Sequence, residues 1–245
     1  MTNKLKYIYR YNTIYEMSKT SLIFGATGSI GNFVFTSMCN EGYNVYGTTS
    51  KEVKTNDKII HVTHENINNL NNITTKIDSV VWAMGDNCND NISTFDESRY
   101  NEIMSANVGF ILKSMHYLVE NDKLANGAKM VIVSSIWEEF TRENKLSYTI
   151  SKAALSGLVK NTAYDLSKKN ILINNVLPGV IDNDMSRKTL SSSQFEYIQN
   201  YTGFGRLIDL HDVYSIIKYL INENTGITGQ SIKVDLGFTN LRKYN

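Results

Sequence analysis

Ser21-Leu22-Ile23-Phe24-Gly25-Ala26-Thr27-Gly28-Ser29-Ile30-Gly31 sets a short apolar run against a glycine turn. Behind the turn Ile30, Phe33, Val34 and Met38 recur at helical spacing,. Strand, turn and helix in that order are the context in which a G-x-x-G-x-x-G loop carries weight. Gly25 permits the tight turn, Gly28 lets the backbone approach a pyrophosphate, and Gly31 lets the helix pack closely on the strand. The helix then offers unpaired N–H groups to the anion from Thr27, Gly28, Ser29 and Ile30. This stretch predicts the first βα unit of a dinucleotide-binding sheet.

Working outward, strands and helices alternate to the end of the chain. Apolar runs at Tyr43–Thr48, Lys58–Thr63, Asp78–Met84, Gly127–Ser134, Ile171–Leu177 and Gln230–Val234 read as strands,. Helical spacing covers Phe95–Leu118, as two helices meeting near Ser105-Ala106-Asn107, then Tyr148–Ser167 and Asp209–Leu220, the last opened by an acidic cap,. Ile67–Lys76 reads as a short helix, and Met185–Tyr201 as a partly helical lid. Only about eight residues separate Ser50 from the third strand, where a parallel crossover usually takes a dozen or more. The expected fold is therefore α/β: a Rossmann-type, doubly wound parallel sheet of about seven strands in a single domain. Its crossover helix between strands 2 and 3 is missing or reduced.

The second strand ends in Thr48-Thr49-Ser50-Lys51. An NAD site usually places an Asp or Glu here, whose charge would repel a 2′-phosphate. Hydroxyls at Thr49 and Ser50 with the Lys51 ammonium favour NADP, with NAD possible.

The chemistry is expected further on. In Met130–Leu155 a buried run ends at Ser134-Ser135, a polar connection follows, and Tyr148-Thr149-Ile150-Ser151-Lys152 opens a long helix. Positions four apart share a helix face, so Tyr148 and Lys152 reach one site. A strand-end Ser, an exposed phenol and a helical Lys suit proton and hydride chemistry at a carbonyl. Strand side chains alternate, so one of the two serines faces the site, and Ser135 is preferred over Ser134.

The chain has 245 residues, 42% hydrophobic and 11% aromatic, and a formal net charge of +1. Those values fit one domain with an ordinary core and point to neither nucleic acid nor an anionic membrane as partner. Cys39 and Cys88 form no metal or redox motif, which suits a reducing cytoplasm,. No stretch approaches the roughly 18 apolar residues of a membrane span, and a soluble protein is expected. Residues 1–16 are basic and Tyr-rich and read as a loosely held tail, an early start codon before Met17, or an arm on a neighbouring subunit; residues 17–245 read as the NAD(P)-binding catalytic domain.

Together these motifs resemble the short-chain dehydrogenase/reductase family in its shorter form, over nearly all of Ser21–Phe238. Gly25 and Gly31 match its glycine loop and Asn107, in Ala106-Asn107-Val108-Gly109, its active-site Asn. Ser135 stands thirteen residues before Tyr148, and Tyr148 with Lys152 matches Y-x-x-x-K. Pro178-Gly179-Val180-Ile181 matches the segment that holds the nicotinamide carboxamide, and Ile227–Asp235 the closing strand. The resemblance implies hydride transfer between NADP(H) and a small carbonyl or alcohol substrate. Asn107, Ser135, Tyr148 and Lys152 would be catalytic, and Gly85, Tyr148, Lys152, Pro178, Gly179, Ile181 and Asn183 would meet the cofactor. It also implies a homodimer or homotetramer. Lys152 and an oxidised nicotinamide would hold the Tyr148 phenol below its ordinary value near 10. Lowering it by about three units needs roughly 4 kcal/mol, about what one close cation supplies at an effective dielectric near 20. Asn107 would hold a water linking Lys152 to solvent.

The chain departs from the pattern in several places. Trp82-Ala83-Met84-Gly85 replaces N-N-A-G, so the hydrogen bonds those Asn side chains make at the sheet end must be replaced. His61 and His64 are nearest to where an Asp often meets adenine, and Asn183 replaces a common Thr. Gly28 sits one place early, the spacing of the longer sugar-nucleotide branch. A nucleotide-sugar epimerase or dehydratase, and a dinucleotide-sensing regulator without turnover, are the alternative readings.

Overall fold

The computed structural model describes residues 19–51 and 58–240. The proposed tail, residues 1–16, and Met17 lie outside them, as does most of the link between the second and third strands, so the reduced crossover falls outside the described residues.

The seven strands are β1 (Thr20–Phe24), β2 (Asn44–Thr49), β3 (Ile59–His61), β4 (Ile77–Trp82), β5 (Leu124–Val133), β6 (Leu172–Pro178) and β7 (Ser231–Val234). They form one parallel sheet in the order β3-β2-β1-β4-β5-β6-β7. The order reverses at β1, between β2 and β4, where an open α/β sheet leaves a crevice at its carboxyl ends. The helices are α1 (Ser29–Asn40), α2 (Glu97–Met104), α3 (Phe110–Glu120), α4 (Leu146–Asp165), α5 (Asp184–Thr189), α6 (Ser192–Tyr201) and α7 (Leu210–Asn222).

Strand side chains alternate between two faces, and the core divides accordingly. Leu22, Phe24, Val80, Met130 and Ile132 face one layer, against Ile111, Met115 and Leu118 of α3 and Leu155 and Val159 of α4. Ile23, Val81, Val131 and Val176 face the other, against Val34 and Met38 of α1 and Val213 and Ile217 of α7. Each such side chain contributes about 1.5–3 kcal/mol by leaving water.

The expected boundary near Ser105-Ala106-Asn107 is not a break. One π-helical turn, Ser105–Gly109, joins α2 to α3, the kind of insertion often found at functional sites. The stretch at Ile67–Asn72 is a 3₁₀ turn. Asp209 caps α7 as expected, its carboxylate accepting from the Asp212 N–H while Asp212 caps back,. Among the described residues, no helix is long and apolar enough to cross a membrane.

Trp82 supplies what the missing Asn side chains would have done at the end of β4. It stacks on Phe24 with ring centroids 5.5 Å apart and donates to the Ser114 hydroxyl at 2.8 Å. The Ala83 N–H donates to the Phe24 carbonyl at 3.0 Å. Stacking and one buried side-chain bond hold this sheet end.

Candidate active site

A cleft lies at the carboxyl ends of β1, β4, β5 and β6. Its walls include Ile30, Gly85, Ser135, Tyr148, Lys152, Pro178, Gly179, Ile181 and Asn183. Nine positions expected from the sequence thus share one space, drawn from segments as far apart as Ile30 and Asn183.

The stripe along α4 explains how two of them arrive. Its buried residues are Ser147, Tyr148, Ser151, Lys152, Leu155 and Val159. The first turns of that stripe are polar and meet the cleft, and the later turns are apolar and enter the core. The Lys152 ammonium lies 5.6 Å from the centre of the Tyr148 ring and 3.4 Å from the Val133 carbonyl oxygen that accepts from it. Ser135 begins a short 3₁₀ turn, its hydroxyl accepting from the Trp137 N–H at 3.3 Å. Ser134 also borders the cleft, and its hydroxyl is buried without a partner among the described residues. Trp137 faces the cleft too.

The electrostatics correct one expectation. Tyr148 is 7% exposed, not an open phenol. Burial pushes it up to about 12, with Ser135 pulling the other way. Lys152 is pushed down to about 8 by burial, with Glu138 opposing. Burial of both side chains therefore opposes the lowering expected of Lys152, while the part expected of an oxidised nicotinamide belongs to the bound complex,. Desolvation disfavours each charged form. At neutral pH the phenol keeps its proton, and the lysine remains mostly charged.

Asn107 stands behind the cleft and is fully buried. Its Oδ1 accepts from the Asp86 N–H at 2.7 Å, and its Nδ2 donates to the Asp86 carbonyl and to the Ser151 hydroxyl, each at 2.9 Å. The side chain thus pins the loop after β4 to α4, and its amide donors are both used. A side chain at Gly85 would start 3.0 Å from Asn107 Oδ1 and 3.5 Å from Lys152 Nζ. A side chain here would crowd Asn107, so glycine is the residue that fits without a shift.

The glycine loop lies at the end of β1. The Gly28 N–H donates to the Gly25 carbonyl at 2.9 Å, and a Cβ on Gly31 would lie 2.1 Å from that same oxygen. No side chain caps α1, so the N–H groups of its first turn face outward from Ser29 and Ile30, open to an anion. Thr27 and Thr49 link their hydroxyls at 3.0 Å, and the Lys51 N–H donates to the Thr49 hydroxyl at 3.2 Å. Ser50 and Lys51 are exposed. His61 reaches the Ser50 carbonyl at 3.3 Å, whereas His64 packs against Phe110 and Ser105 at the π turn.

Asn183 caps α5, its carbonyl accepting from the Ser186 N–H at 3.0 Å. From the expected lid, Met185, Ser186, Thr189 and Leu190 border the cleft, whereas Arg187 turns away to pair with Asp182 at 2.6 Å.

Three residues were not anticipated. Arg142 and Lys145 border the cleft from the connection between β5 and α4. Glu138 is buried, accepts from Asn175 Nδ2 at 3.0 Å and from the Ser231 hydroxyl, and is the carboxylate acting on Lys152. The one available signal was the density of charge in Glu138-Glu139-Phe140-Thr141-Arg142-Glu143-Asn144-Lys145, which reads equally as a solvated loop.

Comparison with known proteins agrees with this geometry. A family model described as Enoyl-(Acyl carrier protein) reductase matches residues 49–239. The uncharacterized oxidoreductase YmfI of Bacillus subtilis is 26% identical over 241 residues, covering 91% of this chain and 99% of its own. The 3-oxoacyl-[acyl-carrier-protein] reductase FabG of Rickettsia conorii is 26% identical over 236 residues, covering 89% and 96%. Among solved structures, a gluconate 5-dehydrogenase from Burkholderia cenocepacia in complex with NADP and tartrate superposes with a TM-score of 0.81 at 18% identity, covering 91% of this chain and 96% of that one. A 4-hydroxyisoleucine dehydrogenase complexed with NADH gives 0.79 at 21% identity, covering 92% and 100%. The chain belongs to the short-chain dehydrogenase/reductase family, NAD(P)-dependent oxidoreductases acting on the CH–OH/C=O pair.

Proposed function

We propose that this protein is an NADP(H)-dependent oxidoreductase that moves a hydride between nicotinamide and a carbonyl or alcohol carbon, with Tyr148 exchanging the proton. The observation that carries this reading is the convergence of Ser135, Tyr148 and Lys152 on one cleft bounded by Pro178–Ile181 and by Ile30 of the glycine loop.

The residues present fit the dinucleotide. The uncapped start of α1 suits its pyrophosphate,, held by Gly25, Thr27, Gly28, Ser29, Ile30 and Gly31. Thr49, Ser50 and Lys51, with no carboxylate among them, suit a ribose 2′-phosphate and so NADP over NAD. Gly85, Pro178, Gly179, Ile181 and Asn183 frame the nicotinamide end, where Lys152 would bind the ribose. Two proteins of the same fold hold NADP and NADH respectively, which supports the cofactor class and leaves the choice to the end of β2. When bound, the dinucleotide supplies or accepts the hydride.

The chain does the rest. Ser135 donates a hydrogen bond to the substrate oxygen as negative charge develops there. Tyr148 holds its proton at neutral pH, the state that reduction of a carbonyl uses, and passes it to that oxygen. The Lys152 ammonium stabilises the phenolate left behind, and Glu138 keeps Lys152 charged. Asn107 fixes the Asp86 loop against α4 and would hold a water that links Lys152 to solvent. Residues 17–245 form the catalytic domain, assembled as a homodimer or homotetramer in the cytoplasm, with residues 1–16 as a tail.

The test is NADPH and NADH oxidation against a panel of ketones and oxo acids, with dinucleotide binding read by fluorescence. NADPH should be preferred at least tenfold. NADH used equally well removes the NADP assignment, and failure to bind either dinucleotide removes the oxidoreductase reading.

A further inference from the structure

Arg142 and Lys145 border the cleft, Arg142 reaching the end of α5 and Lys145 the loop after β4. Lys145 is 2% exposed. Its ammonium donates to Asn87 Oδ1 at 2.7 Å and to the Cys88 carbonyl at 3.2 Å, which leaves one of its three donors unused,. It stands 5.4 Å from the centre of the Tyr148 ring. The Arg142 guanidinium donates to the carbonyls of Glu143 and Thr189, each at 3.2 Å, while its Nε is buried with no partner.

Among the described residues, neither cation has a carboxylate partner. The acid that borders the cleft, Asp86, is taken by Arg99 at 2.7 Å. Burial, and after it the charge of Arg142, pushes Lys145 down to about 8 against weaker pulls from Cys88 and Asp90, and burial pushes Arg142 down against Glu143, the mark of charge withdrawn from water with incomplete compensation. Two such cations bordering one cleft, one of them beside Tyr148, are costly to the fold,. They make chemical sense where the counter-charge arrives from outside.

We infer that the substrate carries a carboxylate, which docks between Arg142 and Lys145. This rests on the cleft being the hydride-transfer site. The free Nε edge of a guanidinium matches the two oxygens of a carboxylate, and the unused Lys145 donor adds a point charge. Lys145 stands 5.4 Å from the centre of the Tyr148 ring, so an anion held by Lys145 lies close to the acid/base group, and the substrate class we infer is a short oxo acid and its hydroxy acid. In reduction the carbonyl carbon gains hydride from the nicotinamide and the oxygen gains the Tyr148 proton. The C=O π bond breaks, the nicotinamide is oxidised, and the carboxylate is unchanged.

The inference is tested by titrating the full-length protein with butanoate and with butanamide, read by the fluorescence of Trp137 in the same cleft. Butanoate should bind at least tenfold more tightly. In Arg142→Gln the preference should fall severalfold, and in Arg142→Gln/Lys145→Gln it should approach one. Lys145 is buried and Arg142 only half-buried, so the single variant serves if the double one fails to fold. Equal binding of the two probes, or an undiminished preference in Arg142→Gln, overturns the inference. A second arm compares NADPH-dependent reduction of 2-oxobutanoate and its methyl ester. Ester reduced at least as well as acid overturns the carboxylate site and leaves the reductase reading standing. Selective butanoate binding with no carbonyl reduced removes the reductase reading and leaves the anion site in place.

Discussion

Replacing Asn107 with Ala tests how the cleft is held open. The side chain is fully buried and makes three hydrogen bonds, two to the Asp86 backbone and one to the Ser151 hydroxyl. At about 1 kcal/mol net for each bond the variant loses about 3 kcal/mol, more if the stranded groups stay dry. The Asp86 groups are half-buried, so water can reach them and the loss stays near that figure. For a chain of this size it corresponds to a fall in Tm of about 10 °C. Activity should suffer too, because the freed loop carries Gly85, which borders the cleft beside Lys152. A displacement of about 1 Å there costs on the order of a hundredfold in rate. Asn107→Asp offers no rescue: it keeps the bond from the Asp86 N–H but turns a carboxylate oxygen toward the Asp86 carbonyl. Urea unfolding with a parallel measurement of kcat decides the matter. A loss under about 1 kcal/mol, or an Asp variant as stable as wild type, would refute the assigned role.

Gly31→Ala drives a methyl group into the Gly25 carbonyl, so the loop must move and the affinity for NADPH should fall more than tenfold in a fluorescence titration. Lys152→Met should abolish turnover yet raise Tm at pH 7, because burial has pushed this lysine from 10.5 to about 8. A base held below its unfolded value favours the unfolded chain while protonated, so the gain should shrink as pH rises from 8 towards 10.5; unfolding curves at pH 7 and 10 check the sign.

The parts legible in the sequence are those set by local geometry. The glycine loop announced itself because strand, turn and helix are contiguous, and Tyr148 with Lys152 because four residues make one helical turn. The doubly wound sheet followed from the alternation of strands and helices along the chain. The burial of Tyr148 was not legible because it depends on distant segments, which no spacing records. Arg142 and Lys145 were missed for a related reason. Their connection is irregular, and it is fixed by long-range bonds: Lys145 to Asn87 and Cys88, and the Leu146 N–H to the Asp90 carbonyl. The π turn before α3 likewise leaves no periodic trace.

Tyr148→Phe tests the central claim most directly, since it deletes one oxygen and leaves the ring that packs in the cleft. With NADPH and a carbonyl substrate, kcat should drop about a thousandfold, within the range for loss of a positioned acid, while NADPH affinity and Tm stay near wild type. A variant that keeps more than a tenth of the wild-type kcat would contradict the account.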